Sequence, residues 1–345
     1  IISRKSNNRK FIMATYKEIK GTGIQFLDTD PANPLLGQIW YNTTSDSLKG
    51  TVLGGSAALG SWASGGNVNT GRYELGSGQA ATTHATNIIF GGYNGSAFVA
   101  NAETYNGTAW TEVADLNQAR GAAIGGSGNS STALAVGAYY PGAGNTGLTE
   151  EYDGSSWSES GDLNTARRSA RGFGLTQNDQ IYCGGYSTTV VNLTESYNGS
   201  AWTEVGDQNS PNSQRAGCGS PSAGLLVSGA PSYSANVESW NGSAWTETTN
   251  VNVARHDGDC SGTQAETLFQ GGNSAPTTYS VNTEYWNGSS WTEVNNLATA
   301  RIAASGTGSA ANGLMSAGLA YPGSVQTATE EWILSGTSTK TFTSS

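Results

Sequence analysis

Glu103-Thr104-Tyr105-Asn106-Gly107-Thr108-Ala109-Trp110-Thr111-Glu112 is a phrase that the chain uses again and again. It returns as Glu151-Tyr152-Asp153-Gly154-Ser155-Ser156-Trp157-Ser158-Glu159 and as Glu195-Ser196-Tyr197-Asn198-Gly199-Ser200-Ala201-Trp202-Thr203-Glu204. Two further copies are Glu238-Ser239-Trp240-Asn241-Gly242-Ser243-Ala244-Trp245-Thr246-Glu247 and Glu284-Tyr285-Trp286-Asn287-Gly288-Ser289-Ser290-Trp291-Thr292-Glu293. The second aromatic falls at 110, 157, 202, 245 and 291, so one unit lasts about 45 residues. A fixed period of that size means a stacked array or a propeller.

The phrase has a physical reading. Asn-Gly and Asp-Gly favour positive φ at both central positions of a type I′ turn, which predicts a tight hairpin. Each flanking Tyr or Trp can bury ~150–250 Å². One hairpin is too small to keep such side chains dry, so neighbouring repeats must pack on one another.

Working outward, every repeat carries four signals in order. An Asn-x-Ala-Arg turn comes first, marked by Arg72, Arg120, Arg167 and Arg255 and, more loosely, by Arg215 and Arg301. Then follows an apolar strand ending in small residues, such as Ile89-Phe90-Gly91-Gly92 or Tyr182-Cys183-Gly184-Gly185. The Glu-aromatic strand and the Trp strand complete the set. Four strands per ~45 residues is the make-up of a propeller blade, and six arginine-marked units predict six blades. The last unit has Glu331-Trp332 but no following Asn-Gly-x-x-Trp. Either Lys340-Thr341-Phe342-Thr343 or the early Gly60-Ser61-Trp62-Ala63 supplies its outer strand. The second is favoured, because it covers both free edges at once.

The double glycine, then Tyr, then Trp at this spacing resembles the kelch repeat across residues 54–345, although several units have lost one glycine. The expected fold is therefore all-β: a six-bladed kelch-like β-propeller of four-stranded blades, over residues 51–345.

Residues 14–50 are different. A glycine-broken strand from Tyr16 to Leu27 precedes a turn-rich connector and a hairpin with a polar tip over residues 37–50. Too few apolar residues are present for this stretch to fold alone. Asp30-Pro31-Ala32-Asn33-Pro34, Gly37-Gln38-Ile39-Trp40-Tyr41-Asn42-Thr43-Thr44 and Leu48-Lys49 resemble N-terminal segments of tail-fibre and other virion proteins of tailed phages, marine ones in particular. That resemblance implies a structural protein of the virion, anchored to other virion proteins through this segment. Residues 1–13 read as an upstream or flexible arm, since Met13 is a plausible start.

Composition limits the function. The formal net charge of −10 argues against nucleic-acid backbones and anionic membranes as main partners. No apolar run approaches the length of a membrane-spanning helix. The cysteines Cys183, Cys218 and Cys260 have neither disulfide-framework nor metal-ligand spacing, and they read as small buried hydrophobes. His84 and His256 are isolated, so no cofactor or metal is expected.

Two sets of residues are candidate binders. Arg72, Arg120, Arg167, Arg215, Arg255 and Arg301 would ring one mouth of the channel if the first strands line it, and such a ring suits an anion or acidic sugar. Against this stands pairing with Glu103, Glu151, Glu195, Glu238, Glu284 and Glu330 across blade interfaces, which the matching period favours. The second set lies in the connectors between second and third strands: Tyr139, Tyr140, Tyr233, Tyr279 and Tyr321. These loops do not repeat and share one face, where recognition concentrates. Tyr beside Ser, Asn and Gly suits sugars and proteins alike.

The functional expectation is a non-enzymatic virion protein, on a tail or capsid surface, that binds a host receptor or glycan. Homo-oligomerisation stays open. The alternatives are a carbohydrate-active enzyme on the same fold and a cellular interaction propeller.

Overall fold

The computed structural model describes residues 25–31, 39–53, 60–79, 83–122, 125–334 and 337–342. The arm at 1–13, the start of the strand from Tyr16, and Asn33, Pro34, Gly37 and Gln38 lie outside the described residues. The chain divides into two compact units, residues 1–55 with 336–345 and residues 56–335.

The first unit contains a four-stranded sheet. Gln25–Leu27 pairs parallel with Ile39–Asn42, which forms the expected hairpin with Ser47–Leu53. The hairpin tip is set by Asn42, whose Oδ1 accepts the amides of Thr44 and Ser45 at 3.0 and 2.8 Å. Asp30 ties the hairpin together. Its carboxylate accepts from Trp40 Nε1 at 3.0 Å, Asn42 Nδ2 at 2.6 Å and Lys49 Nζ at 2.7 Å. Those bonds, led by Lys49, hold its pKa down at about 2. The fourth strand is Thr337–Phe342, pairing with Ser47–Leu53. This corrects the expected boundary: residues 336–345 belong with the N-terminal segment rather than with the repeats. The reason is the sheet edge, since a segment with so few apolar residues gains a strand and loses an open side.

The second unit holds six four-stranded antiparallel sheets among the described residues. Five are built from consecutive sequence; the first, for example, runs Gly76–Ser77, Asn87–Phe90, Ala102–Tyr105 and Trp110–Val113. The sixth takes Ser305–Ser309, Asn312–Ser316 and Thr329–Leu334 from the end of the repeats and Gly60–Ser64 from their beginning. Trp332 faces Trp62 in that pairing, their rings 5.3 Å apart edge to face. The closure is therefore the one the sequence favoured. First strands touch in a cycle: Gly76–Ser77, Gly125–Gly128, Arg171–Thr176, Ala216–Ser220, Asp259–Gly262, Ser305–Ser309, and back to Gly76–Ser77. This cycle of sheets is a β-propeller.

The outer-strand tryptophans stitch each sheet to the one before it. Trp110 donates to Thr329 Oγ1 at 3.0 Å, Trp202 to Thr149 at 2.9 Å, Trp245 to Thr194 at 3.1 Å and Trp62 to Thr283 at 3.0 Å. Where the acceptor position is apolar, at Ala102 and Val237, the indole turns to a backbone carbonyl instead. Trp157 donates to Ala114 O and Trp291 to Thr249 O. An indole N–H that is buried needs a partner, and each of these has one.

The Asn-Gly phrase forms a hairpin, but not the type I′ turn expected. Tyr105 pairs with Trp110, which leaves residues 106–109 as the loop, and only Gly107 has positive φ, at 90°. Asn106 instead caps the loop, its Oδ1 accepting the amides of Thr108 and Ala109 at 3.0 and 2.9 Å. The side chain replaces a backbone acceptor, so the Asn needs no left-handed conformation.

Candidate functional site

The repeat arginines are structural. Arg72, Arg120, Arg167, Arg255 and Arg301 are 0 % exposed and Arg215 is 6 % exposed. Arg72 bonds Glu103 at 2.7 Å, Arg215 bonds Glu238 at 2.6 Å, Arg255 bonds Glu284 at 2.7 Å and Arg301 bonds Glu330 at 2.6 Å. Arg167 pairs with Glu195 in the same way. The second oxygen of the carboxylate caps the turn: Glu195 accepts from the Asn164 amide and side chain, both at 2.8 Å. Guanidiniums committed to buried carboxylates are not presented to a ligand, which corrects the reading of these six as an anion-binding ring.

Two details of that pairing also differ from expectation. Arg120 pairs with Glu150, not Glu151. The carboxylate that matters stands two residues before the aromatic, as in Glu103 to Tyr105 and Glu195 to Tyr197, and Glu150 keeps that spacing. Glu151 instead accepts the Tyr197 hydroxyl at 2.5 Å. The pairs also lie within one repeat rather than across an interface. Arg72 precedes the first strand of the same sheet whose third strand carries Glu103.

Beside each repeat arginine the backbone reaches the centre of the ring, two residues after the arginine in five repeats and directly before Arg215 in the other. Glu74, Ala122, Ser169, Gln214, Asp257 and Ala303 all have left-handed φ, between 49° and 64°. Their backbones bond head to tail from sheet to sheet. Glu74 N donates to Ala303 O at 2.9 Å, Ala303 N to Asp257 O at 2.9 Å, Asp257 N to Gln214 O at 3.1 Å, Gln214 N to Ser169 O at 2.8 Å and Ser169 N to Ala122 O at 3.0 Å. A conformation costly for a residue with a side chain is accepted at every repeat because it satisfies these groups. The side chains differ although the position repeats, and they rim a narrow depression. Glu74, Ser169, Gln214 and Asp257 line it above Arg171 and Asp259.

The depression is charged and partly wired. Asp257 accepts from Gln214 Nε2 at 2.9 and 3.0 Å and meets His256 Nδ1 at 2.8 Å. Below, Arg171 joins Asp259 at 2.5 Å and donates through Nε to Gly217 O at 3.2 Å, which links three sheets. Burial pushes the pKa of Asp259 up even beside Arg171. Glu74 is raised by burial first and then by Asp257, with Arg168 opposing.

The expected tyrosines surround this depression on the face that carries the second-to-third-strand connectors. Tyr139 and Tyr140 form a short hairpin with Gly144–Asn145. The Tyr139 ring lies 5.6 Å from Phe98, which lies 5.2 Å from Tyr93, which in turn meets Tyr73 at 5.5 Å. Tyr140 enters none of the ring pairs among the described residues. Tyr233 stacks flat on His256, 5.0 Å between centroids and 16° between planes. Tyr279 and Tyr321 meet edge to face at 5.9 Å, and Tyr321 is 60 % exposed. The connector tyrosines are thus brought together in clusters, joined by Tyr73, Arg168 and His256 from the arginine turns. Sequence reading missed those three, with Glu74 and Asp257. The signal was available: the residues that follow the repeat arginine, Tyr73-Glu74, Arg168-Ser169 and His256-Asp257 among them, vary from repeat to repeat.

Among the described residues no three His, Cys, Asp or Glu side chains come together as a metal-ligand set. The three cysteines are free and buried.

No protein-family model and no curated protein matches the chain. Among solved structures it is similar to YjhT, with a TM-score of 0.66 and 12 % sequence identity, over 79 % of this chain and 99 % of that one. At that identity the likeness concerns the fold, and it agrees with the cycle of four-stranded sheets described above.

Proposed function

We propose that this chain is a non-enzymatic structural protein of a phage particle, whose β-propeller recognises a host surface molecule, of glycan chemistry, through the connector face. The observation that carries the reading is the set of half-buried and exposed aromatic rings around the central depression, interleaved with Ser, Asn and Gln. Rings held rigid by their neighbours offer flat apolar area, and the amides and hydroxyls beside them offer hydrogen bonds; sugars call for both. The display role is supported by the resemblance of residues 30–49 to virion segments, in a unit separate from the repeats.

Mass spectrometry of purified phage particles tests the display role. The chain is expected at a copy number comparable to known tail or capsid components; its absence from the particles would overturn that part of the reading.

A second reading has one observation behind it. Glu74, with its pKa raised, and Asp257 stand in the same ring, separated by Ala303. A carboxyl whose pKa burial pushes up, with a second carboxyl at the same mouth, supplies the elements of general acid–base chemistry. Release of shorter saccharides from a bound glycan, abolished by Glu74→Gln, would replace recognition with turnover.

A further inference from the structure

Seven of the eight arginines among the described residues are joined to carboxylates, and Arg168 is the exception. It follows the structural Arg167 directly and precedes Ser169 of the central ring, so it stands at the rim of the depression. It is held rather than loose. Its Nη1 donates to Asn145 Oδ1 at 2.8 Å, and its Cζ lies 4.8 Å from the Tyr186 ring centre and 5.5 Å from that of Tyr139. Asn145 is fixed in turn, its Nδ2 donating to the carbonyls of Tyr186 and Ser187 at 3.0 and 2.5 Å. That leaves the amide oxygen for the guanidinium. The other N–H groups of Arg168 meet no protein acceptor among the described residues, and they are not buried.

Such an arrangement is wasted on solvent. In a chain of formal net charge −10, a guanidinium would ordinarily find a carboxylate of its own. We propose that Arg168 is the anion-binding residue of the connector face, and that the ligand is an acidic saccharide whose carboxylate accepts from its free edge. This rests on the reading of that face as a glycan-recognition surface. A planar carboxylate matches the planar edge and can accept two parallel N–H bonds. The Tyr139 and Tyr186 rings that flank the guanidinium give the sugar an apolar face to lie on. One unpaired cation suits a single negative charge per sugar better than a densely sulfated chain. The nearby acids do not oppose it strongly. Asp257 is already committed to Gln214 and His256, and Glu74 forms no ion pair with Arg168 among the described residues.

The test uses the full chain and a saccharide array holding oligogalacturonate, the same oligosaccharide with its carboxyls reduced to alcohols, dextran sulfate and dextran. Wild type is expected to prefer oligogalacturonate. Arg168→Gln should weaken that binding about ten- to hundredfold, the size of a lost charge-assisted pair. Arg168→Lys should restore only part of it, because an ammonium lacks the fork. Reducing the ligand's carboxyls should cost wild type the same factor and cost Arg168→Gln nothing, a comparison that holds even where a variant is less stable. Equal loss on reduction in both proteins, or preference for dextran sulfate, would overturn the proposal. Binding of neutral dextran that Tyr321→Ala abolishes and Arg168→Gln leaves intact would also overturn it, while the recognition reading stands. No binding to any probe would overturn both.

Discussion

At the residue scale, the molecule distinguishes between charges that build and charges that are offered. Arg167 and Glu195 are both fully buried, and the carboxylate also holds Asn164. Removing one partner leaves the other charge buried and uncompensated. Arg167→Met should therefore cost about 3–5 kcal/mol in a denaturant melt. The period made an Arg–Glu pairing legible in the sequence. It could not fix which of Glu150 and Glu151 is used, because that depends on which face of a strand each residue takes. Glu74 behaves in the opposite way. Burial raises its pKa in the folded protein above the ordinary value of 4.5, so the folded state binds the proton more tightly than the unfolded chain. The penalty is absent below the unfolded pKa and grows as pH rises through and beyond it. Glu74→Gln should accordingly be more stable than wild type at pH 7, with the difference vanishing below about pH 4.5. Melts at pH 4 and pH 7 decide this; an advantage that persists at pH 4 would show that desolvation of a charge is not the cause.

At the element scale, the outer strand is where closure is decided. Trp62 covers Trp332 and donates to Thr283, so one side chain joins the two ends of the repeat array. Trp62→Ala should cost somewhat less than the ~3–5 kcal/mol of a fully buried tryptophan, because Trp62 is only half-buried. The loss should exceed that of any substitution at the exposed Leu175, as read by thermal unfolding. The missing Asn-Gly-x-x-Trp in the last repeat made this swap readable, since an edge left open had to be covered by something. The hairpin loop was less readable. Asn-Gly names a turn, yet whether the asparagine takes a left-handed backbone or caps the loop with its side chain depends on loop length. Only the cross-strand register of Tyr105 and Trp110 shows it. The fate of Thr337–Phe342 was also hidden, because a polar strand carries no pattern that says which sheet it joins.

At the scale of the whole molecule, repetition made the fold legible and concealed the site. The repeating positions turned out to be ion pairs, stitches and caps. In the proposed reading, recognition falls to the residues that break the pattern: Tyr321, Arg168, His256, Asp257 and Glu74 on one face of the ring. The most direct test of that claim is a saccharide-array comparison of wild type with two variants. One carries Tyr140→Ala, Tyr279→Ala and Tyr321→Ala on the connector face. The other carries Leu175→Ser at the opposite mouth, where Leu175 lies near the end of the strand that Arg168 precedes. The account predicts that the triple variant loses binding by about tenfold or more, on the scale of a lost aromatic anchor, while Leu175→Ser binds as wild type does. Binding that survives the triple substitution and is lost at Leu175 would place recognition on the other face and contradict it.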